Sequence, residues 1–209
     1  MSSPNLGAFT SASVQSFYRD SSLLEKYTNS GNHLKIASIL RQQPNEELRS
    51  SLATNCLPFA VRNINNCQSL RQTLGVLLAN KADLNVKHTI WKNTPLMIAA
   101  MSNRVTAATL LLKEKADANA VNEAEQTALM CAAKKCCLGT VKVLAQHTKY
   151  IYYQDFQGRN ALFLAVNNSD SGSRYNKIDI VNYLLGNHAD ADITDSFSLS
   201  PLMVAANKG

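Results

Sequence analysis

The sequence predicts an all-α repeat solenoid, in which helix-turn-helix units stack side by side and are joined by hairpin-like turns. Three observations carry that expectation. The segment TPLMIAA at Thr94 returns as TALMCAA at Thr127, NALFLAV at Asn160 and SPLMVAA at Ser200. The separations are 33, 33 and 40 residues, the last being 33 plus a seven-residue insertion. Each segment is followed, at a constant offset, by a second apolar stripe of helical spacing. A unit of this size cannot bury such a stripe by itself, so the units must stack into one continuous core.

The first helix of each unit is read from its head residue. Thr94, Thr127, Asn160 and Ser200 all carry a side-chain oxygen able to accept from the free N–H groups of a first helical turn, and Pro95 and Pro201 suit the first helical position. The pairs Ala99-Ala100, Ala132-Ala133, Ala165-Val166 and Ala205-Ala206 leave little bulk, so neighbouring first helices can approach closely. For the second helix, Val105, Ala108, Leu111 and Leu112 align with Leu138, Val141, Leu144 and Ala145, then with Ile178, Val181, Leu184 and Leu185. These positions fall three to four residues apart, the spacing of one buried face. After the second helix come KADLN (Lys81 to Asn85), KADAN (Lys115 to Asn119) and HADAD (His188 to Asp192), each leading to a polar turn.

This pattern resembles the ankyrin repeat: a period of 33, a TPLHxAA-like first helix, a second helix ending in LL, and a GADxN-like exit. The resemblance is strongest from Thr94 to Gly209. Upstream, CLPFAV (Cys56 to Val61) resembles a first helix and LGVLLANKADLN (Leu74 to Asn85) a second, with an insertion around Asn63 to Gln72. Leu23 to Pro44 resembles the amphipathic pair that opens many such arrays. The expected organisation is therefore a flexible segment over 1–20, a helical cap over 21–50, and an array over 51–209 of about four repeats plus a shortened last one. Because PLMVAANKG stops where a second helix should begin, the chain is expected to be the N-terminal part of a larger protein.

Departures from the family pattern are chemically specific. The family's His in TPLH is Met97, Met130, Phe163 and Met203 here, so apolar packing should replace its hydrogen bonds. The usual exit Gly is Lys81, Lys115, Thr148 and His188, where a left-handed backbone costs a non-Gly residue on the order of 1 kcal/mol. In KYIYYQDFQG (Lys149 to Gly158) the ADxN exit is lost and tyrosines stand where small residues are expected. The insertion, Asn167 to Lys177, is polar and contains Gly172, and is expected to form an exposed loop.

Composition narrows the function classes. With 209 residues, 45% hydrophobic and 17% charged, the chain can bury a sizeable core. No apolar run reaches the length of a membrane span, and the Ser-rich start lacks the basic and apolar regions of a secretory signal. The five cysteines are odd in number and none lies in a CxxC spacing, which argues against a disulfide framework or zinc site and for a reducing, cytoplasmic setting. The formal charge of +6 favours acidic partners mildly, and without a reader motif it does not point to nucleic acid. Catalytic chemistry would have to come from Cys136-Cys137 with a histidine, or from pairs among His33, His88, His147 and His188. The register instead makes Cys131 a core residue and places Cys136 and Cys137 between helices, and no phosphate loop, HExxH or GxSxG is present. No catalytic, metal or cofactor residue is expected.

The resemblance implies a scaffold that binds another protein along a concave groove of hairpin tips and first helices, as a monomer. Mapped onto this register, the groove comprises Lys87, Ile90, Trp91, Lys92, Glu123, Gln126, Phe156, Arg159, Phe197 and Leu199 in the turns. Met101, Lys134, Lys135, Asn167 and Lys208 lie at the ends of the first helices. Exposed aromatics flanked by cations suit an acidic, partly apolar protein segment, with Lys134, Lys135 and Arg159 steering it. A rival expectation is the targeting arm of a larger effector or enzyme with a catalytic domain beyond Gly209. The Asn- and Lys-rich repeats with eroded glycines are similar to those of ankyrin proteins that intracellular bacteria secrete into host cells, which would place the chain in the host cytosol or nucleus.

Overall fold

In the computed structural model, which describes residues 11–88, 90–168 and 174–208, each recurring head residue starts a helix. The described residues form α1 (Ser11–Asn29), α2 (His33–Arg41), α3 (Glu46–Asn63), α4 (Cys67–Ala79), α5 (Pro95–Met101), α6 (Val105–Lys113), α7 (Ala128–Lys134), α8 (Leu138–Ala145), α9 (Ala161–Asn167), α10 (Arg174–Gly186) and α11 (Pro201–Lys208). The chain divides into two compact units, Met1–Asp83 and Leu84–Gly209.

The first unit is built on longer helices than the repeats. Asn32, Asn45 and Asn66 cap α2, α3 and α4, their side chains accepting from Lys35 N, Leu48 N and Ser69 N at 3.2, 2.7 and 3.0 Å. Leu24, Ile36, Leu40, Leu52, Leu57, Leu70 and Leu77 are buried among the four helices. Two sequence boundaries shift here. Helix α1 starts at Ser11, inside the segment read as flexible (1–20), and α3 runs through the 50/51 junction between cap and array. CLPFAV is thus the C-terminal half of a helix of 18 residues with Pro58 inside it, rather than a separate first helix. The insertion placed at Asn63 to Gln72 reduces to the short link between α3 and α4.

In the second unit the helices form two rows. The first helices α5, α7, α9 and α11 pack in sequence, the second helices α6, α8 and α10 pack in sequence, and each first helix packs on its own second helix in the pairs α5/α6, α7/α8 and α9/α10. Thr94 Oγ1 accepts from Met97 N at 3.3 Å, Thr127 Oγ1 from Met130 N at 3.4 Å, Asn160 Oδ1 from Phe163 N at 2.9 Å and Ser200 Oγ from Met203 N at 3.3 Å. The methionines do more than pack. Thr94 N donates back to the Met97 sulfur at 3.4 Å and Thr127 N to the Met130 sulfur at 3.3 Å, so thioethers complete the reciprocal cap that an N3 Glu or Gln ordinarily makes. Met97, Met130 and Phe163 are buried, as are Ala99, Ala100, Ala132, Ala133 and Ala165.

The second helices keep the 33 and 40 register but turn a different stripe inward. Ala107, Thr140 and Ile180 are buried, with Leu111, Leu144 and Leu184 one turn on. Ile178 and Leu185, assigned to the core from sequence, are exposed, and so is Val105. Thr140 hid the true stripe because it is polar. Its hydroxyl bonds to Ala100 O at 3.0 Å and Cys137 O at 3.1 Å, which satisfies it inside the stack. Gly139 beside it is required by space: a Cβ there would lie 2.6 Å from Val105 Cγ2.

The eroded glycines are left-handed at three of four exits: Lys81, Lys115 and His188 have φ of 58°, 67° and 63°. Thr148 does not share that conformation; its hydroxyl and Lys149 N both donate to Asn119 Oδ1 at 3.1 Å, a side-chain clasp in place of the Gly turn. The expected loop Asn167–Lys177 is also shorter than the sequence suggested. Asn167 belongs to α9 and α10 already begins at Arg174, so 174–177 add a helical turn ahead of the register, while 169–173 lie outside the described residues. Lys177, half-buried, donates to Asn168 O at 2.6 Å.

Candidate functional site

The face that carries the candidate residues is assembled from one small turn used repeatedly. Five residues before each cap stands Asn122, Asp155 or Asp195, and each folds its chain back by accepting two backbone N–H groups on one side-chain oxygen. Asn122 Oδ1 takes Ala124 N and Gln126 N, Asp155 Oδ1 takes Gln157 N and Arg159 N, and Asp195 Oδ1 takes Phe197 N and Leu199 N, all at 2.9 to 3.0 Å. Two residues before each cap the backbone is left-handed, at Lys92, Glu125, Gly158 and Ser198. Only Gly158 meets this without a side-chain penalty, and a Cβ there would also crowd Thr194 O at 3.1 Å.

Consecutive turns are stitched by their backbones. Glu123 N donates to Trp91 O at 3.0 Å, Phe156 N to Ala124 O at 3.5 Å, and Ser196 N to Gln157 O at 2.9 Å. The tips therefore form a row of dipeptides, Ile90-Trp91, Glu123-Ala124, Phe156-Gln157 and Ser196-Phe197, running along the unit. With their backbone groups engaged, the tip side chains have nothing above them. Ile90 is 89% exposed, Trp91 67%, Phe156 60% and Phe197 76%.

The remaining sequence-assigned residues fall into two groups. Lys87, Lys134 and Lys135 are exposed, and among the described residues Lys134 and Lys135 form no ion pair; Leu199 is exposed too. Met101 and Asn167 end α5 and α9 half-buried, and Lys208, ending α11, donates to Asn167 O. Lys92 pairs with Glu123 across the first two tips. Gln126 and Arg159 do not belong to the accessible face. Gln126 is buried, donating from Nε2 to Asp155 Oδ2 at 2.9 Å, and Arg159 holds the same carboxylate through Nη2 at 2.8 Å and Nε at 3.2 Å. The position just before the cap points toward the neighbouring hairpin rather than into the groove, as Asn93 also shows by accepting from Asn122 Nδ2 at 2.9 Å. Burial opposes ionisation of Asp155, but hydrogen bonds from Arg159 and Gln126 outweigh it and hold the carboxyl below its ordinary range. Arg159 is thus committed to structure and does not steer a ligand.

The turn acceptors Asn122 and Asp195 were absent from the sequence reading. Their signal was available in the constant offset of five from each cap, which needs two aligned turns rather than one residue type to be noticed.

The thiols carry no nucleophile. Burial pushes Cys131 up to about 12 and Cys56 up to about 11, and it raises Cys137 as well, so these stay neutral at physiological pH. Cys136 and Cys137 are buried, not exposed loop residues; Cys136 Sγ accepts from Asn168 Nδ2 at 3.0 Å. Among the described residues no group of three or more His, Cys, Asp or Glu is placed to hold a metal ion, and no helix is long and apolar enough to cross a membrane.

Family profiles match most of this architecture. The profile described as "Ankyrin repeats (3 copies)" matches residues 57–155 and 110–174, and that of the single "Ankyrin repeat" matches 157–196. Curated relatives include a transient receptor potential cation channel subfamily A member 1 homolog of Caenorhabditis elegans, 32% identical over 56% of this chain and 9% of its own length. The ankyrin repeat and KH domain-containing protein mask-1 of the same species is 32% identical over 68% of this chain and 5% of its own. Inversin of Gallus gallus is 33% identical over 45% of this chain and 8% of its own. The chain thus spans less than a tenth of the length of these relatives.

Proposed function

The chain belongs to the ankyrin-repeat family, and from that premise we propose that it is a protein-interaction scaffold whose tip row and first-helix ends bind an acidic, partly apolar segment of a partner protein, without catalysis. The observation that carries the reading is the row of exposed aromatics, Trp91, Phe156 and Phe197, on turns whose backbones are fully engaged with one another. Large apolar side chains held out of the core on a rigid scaffold are where binding energy concentrates. Lys87, Lys134 and Lys135 flank them and supply the charge that attracts an acidic partner. A monomeric state and a cytoplasmic location belong to the same proposal.

A second reading is favoured by the share of length: the array is the targeting arm of a larger effector or enzyme, since its relatives are more than ten times as long. Secretion into a host cell extends that reading and rests on the left-handed Lys, Glu, Cys and His residues where ankyrin repeats favour Gly.

The test is capture of partners from cell lysate on the immobilised chain. It is repeated with Trp91→Ala plus Phe156→Ala and with Lys134→Glu plus Lys135→Glu, each at an unchanged melting temperature. Each pair is expected to lose partners that the parent holds. Retention of every partner by both would move binding off this face.

A further inference from the structure

The tip row has a spacing, and the spacing selects the conformation of what lies on it. Within one tip, adjacent Cα atoms are about 3.8 Å apart, and across a tip-to-tip hydrogen bond they are about 5 Å apart. Successive tips then repeat roughly every 9 Å, which agrees with the 8–10 Å between packed helix axes and supports a straight path. Trp91 is the second residue of its tip, Phe156 the first and Phe197 the second. The offsets compensate for the tip that carries no aromatic. Trp91 to Phe156 is about 14 Å and Phe156 to Phe197 about 13 Å, so three aromatics drawn from three repeats stand at nearly equal intervals.

An extended chain advances about 3.3 Å per residue, so four residues cover about 13 Å, and an even offset returns the side chain to the same face. A helix fails this test. Nine helical residues cover about 13.5 Å but rotate by roughly 900°, which turns the second side chain to the opposite side. Between the aromatics lie Glu123, already paired with Lys92, and Ala124 in one interval, and Gln157 and Ser196 in the other. Neither interval offers an apolar surface larger than Ala.

We propose that the occupant is an extended protein segment with apolar side chains at i, i+4 and i+8, seated on Trp91, Phe156 and Phe197. Small or polar residues stand at i+2 and i+6, and acidic residues meet Lys87, Lys134 and Lys135. This rests on the scaffold reading above and adds the partner's conformation and sequence pattern. The pattern is asymmetric in charge and symmetric in spacing, so charge sets which way the segment runs.

Trp91 is the only tryptophan in the chain, so its fluorescence reports directly on the first seat. The experiment titrates the full chain with three synthetic peptides of one composition, each with three Phe among Asp, Ser and Gly. Their Phe spacings are 4 and 4, 3 and 4, or 5 and 5, and calorimetry accompanies the fluorescence. The 4-and-4 peptide is expected to bind at least about tenfold more tightly, a difference of about 1.4 kcal/mol, with Phe197→Ala erasing the preference. Equal or tighter binding of either other peptide, abolished by Phe156→Ala, overturns the spacing and leaves the scaffold reading in place. Binding that neither Phe156→Ala nor Phe197→Ala weakens, or no binding by any peptide at millimolar concentration, overturns both.

Discussion

Helices α7 and α11 are written in nearly the same residues, ALMCAAK and PLMVAANK, and they have opposite fates. In α7 every residue from Ala128 to Ala133 is buried, whereas in α11 only Pro201 and Val204 are, with Leu202 77% and Met203 55% exposed. Their local geometry is alike: each has a hydroxyl cap, an Asx turn five residues earlier, and a left-handed residue two before the cap. What differs is company. Helix α7 has a first helix on each side, α5 and α9, and its own partner α8, while α11 packs on α9. The short motif therefore specifies a helix and its cap, and the stack decides what is core.

The sharpest contrast comes from the paired methionines. Met130→Ala removes a fully buried side chain and one half of a reciprocal cap, and should cost about 3 kcal/mol. Met203→Ala should change stability by no more than about 0.5 kcal/mol. Urea unfolding monitored by circular dichroism checks both, and equal losses would mean that the motif itself, not its neighbours, carries the energy.

The turn acceptors sharpen the same comparison. Asp155→Asn strips the charge from a carboxylate that holds Arg159 and Gln126, and should cost about 2 kcal/mol. Asp195→Asn should cost well under half of that, because an amide oxygen can still accept its two backbone N–H groups. The pH dependence has a definite sign. Asp155 is depressed in the folded state, so its contribution is fully present above the unfolded carboxyl's pKa of about 3.9 and is lost as pH falls through the lower folded value. The stability gap between the parent and Asp155→Asn should therefore close in acid, as seen in unfolding curves taken from pH 6 down to pH 2.

The smallest effect is one in which the two regions should agree. Glu125 and Ser198 share the left-handed conformation, with φ of 55° and 61°, and that strain is local. Glu125→Gly and Ser198→Gly should each raise stability by about 0.5 kcal/mol, the relief of a left-handed side chain less the added entropy of the unfolded chain. Thr148→Gly, at an exit that is not left-handed, should destabilise instead.

The register, the caps and the left-handed exits at Lys81, Lys115 and His188 were legible because each depends on residues close in sequence. The buried stripe of the second helices was not, since Thr140 is polar and its partner carbonyl, Ala100 O, lies 40 residues away. Gln126 and Arg159 were misread for a related reason: their side chains are claimed by Asp155 of the hairpins, and a family's surface positions say nothing about such claims. The aromatic tips were placed correctly as turn residues, and their equal spacing became visible only with the hydrogen bonds that join one tip to the next.

If company decides burial, then the tip aromatics, which have none, are dispensable for the fold and available for a partner. The measurement is the melting temperature of the Trp91→Ala, Phe156→Ala, Phe197→Ala triple variant alongside its affinity for the 4-and-4 peptide. The expected result is a melting temperature within a degree or two of the parent's, consistent with exposed positions, together with loss of peptide binding. A fall in melting temperature comparable to that of Met130→Ala, or full retention of binding, would contradict the separation of fold from recognition on which this account rests.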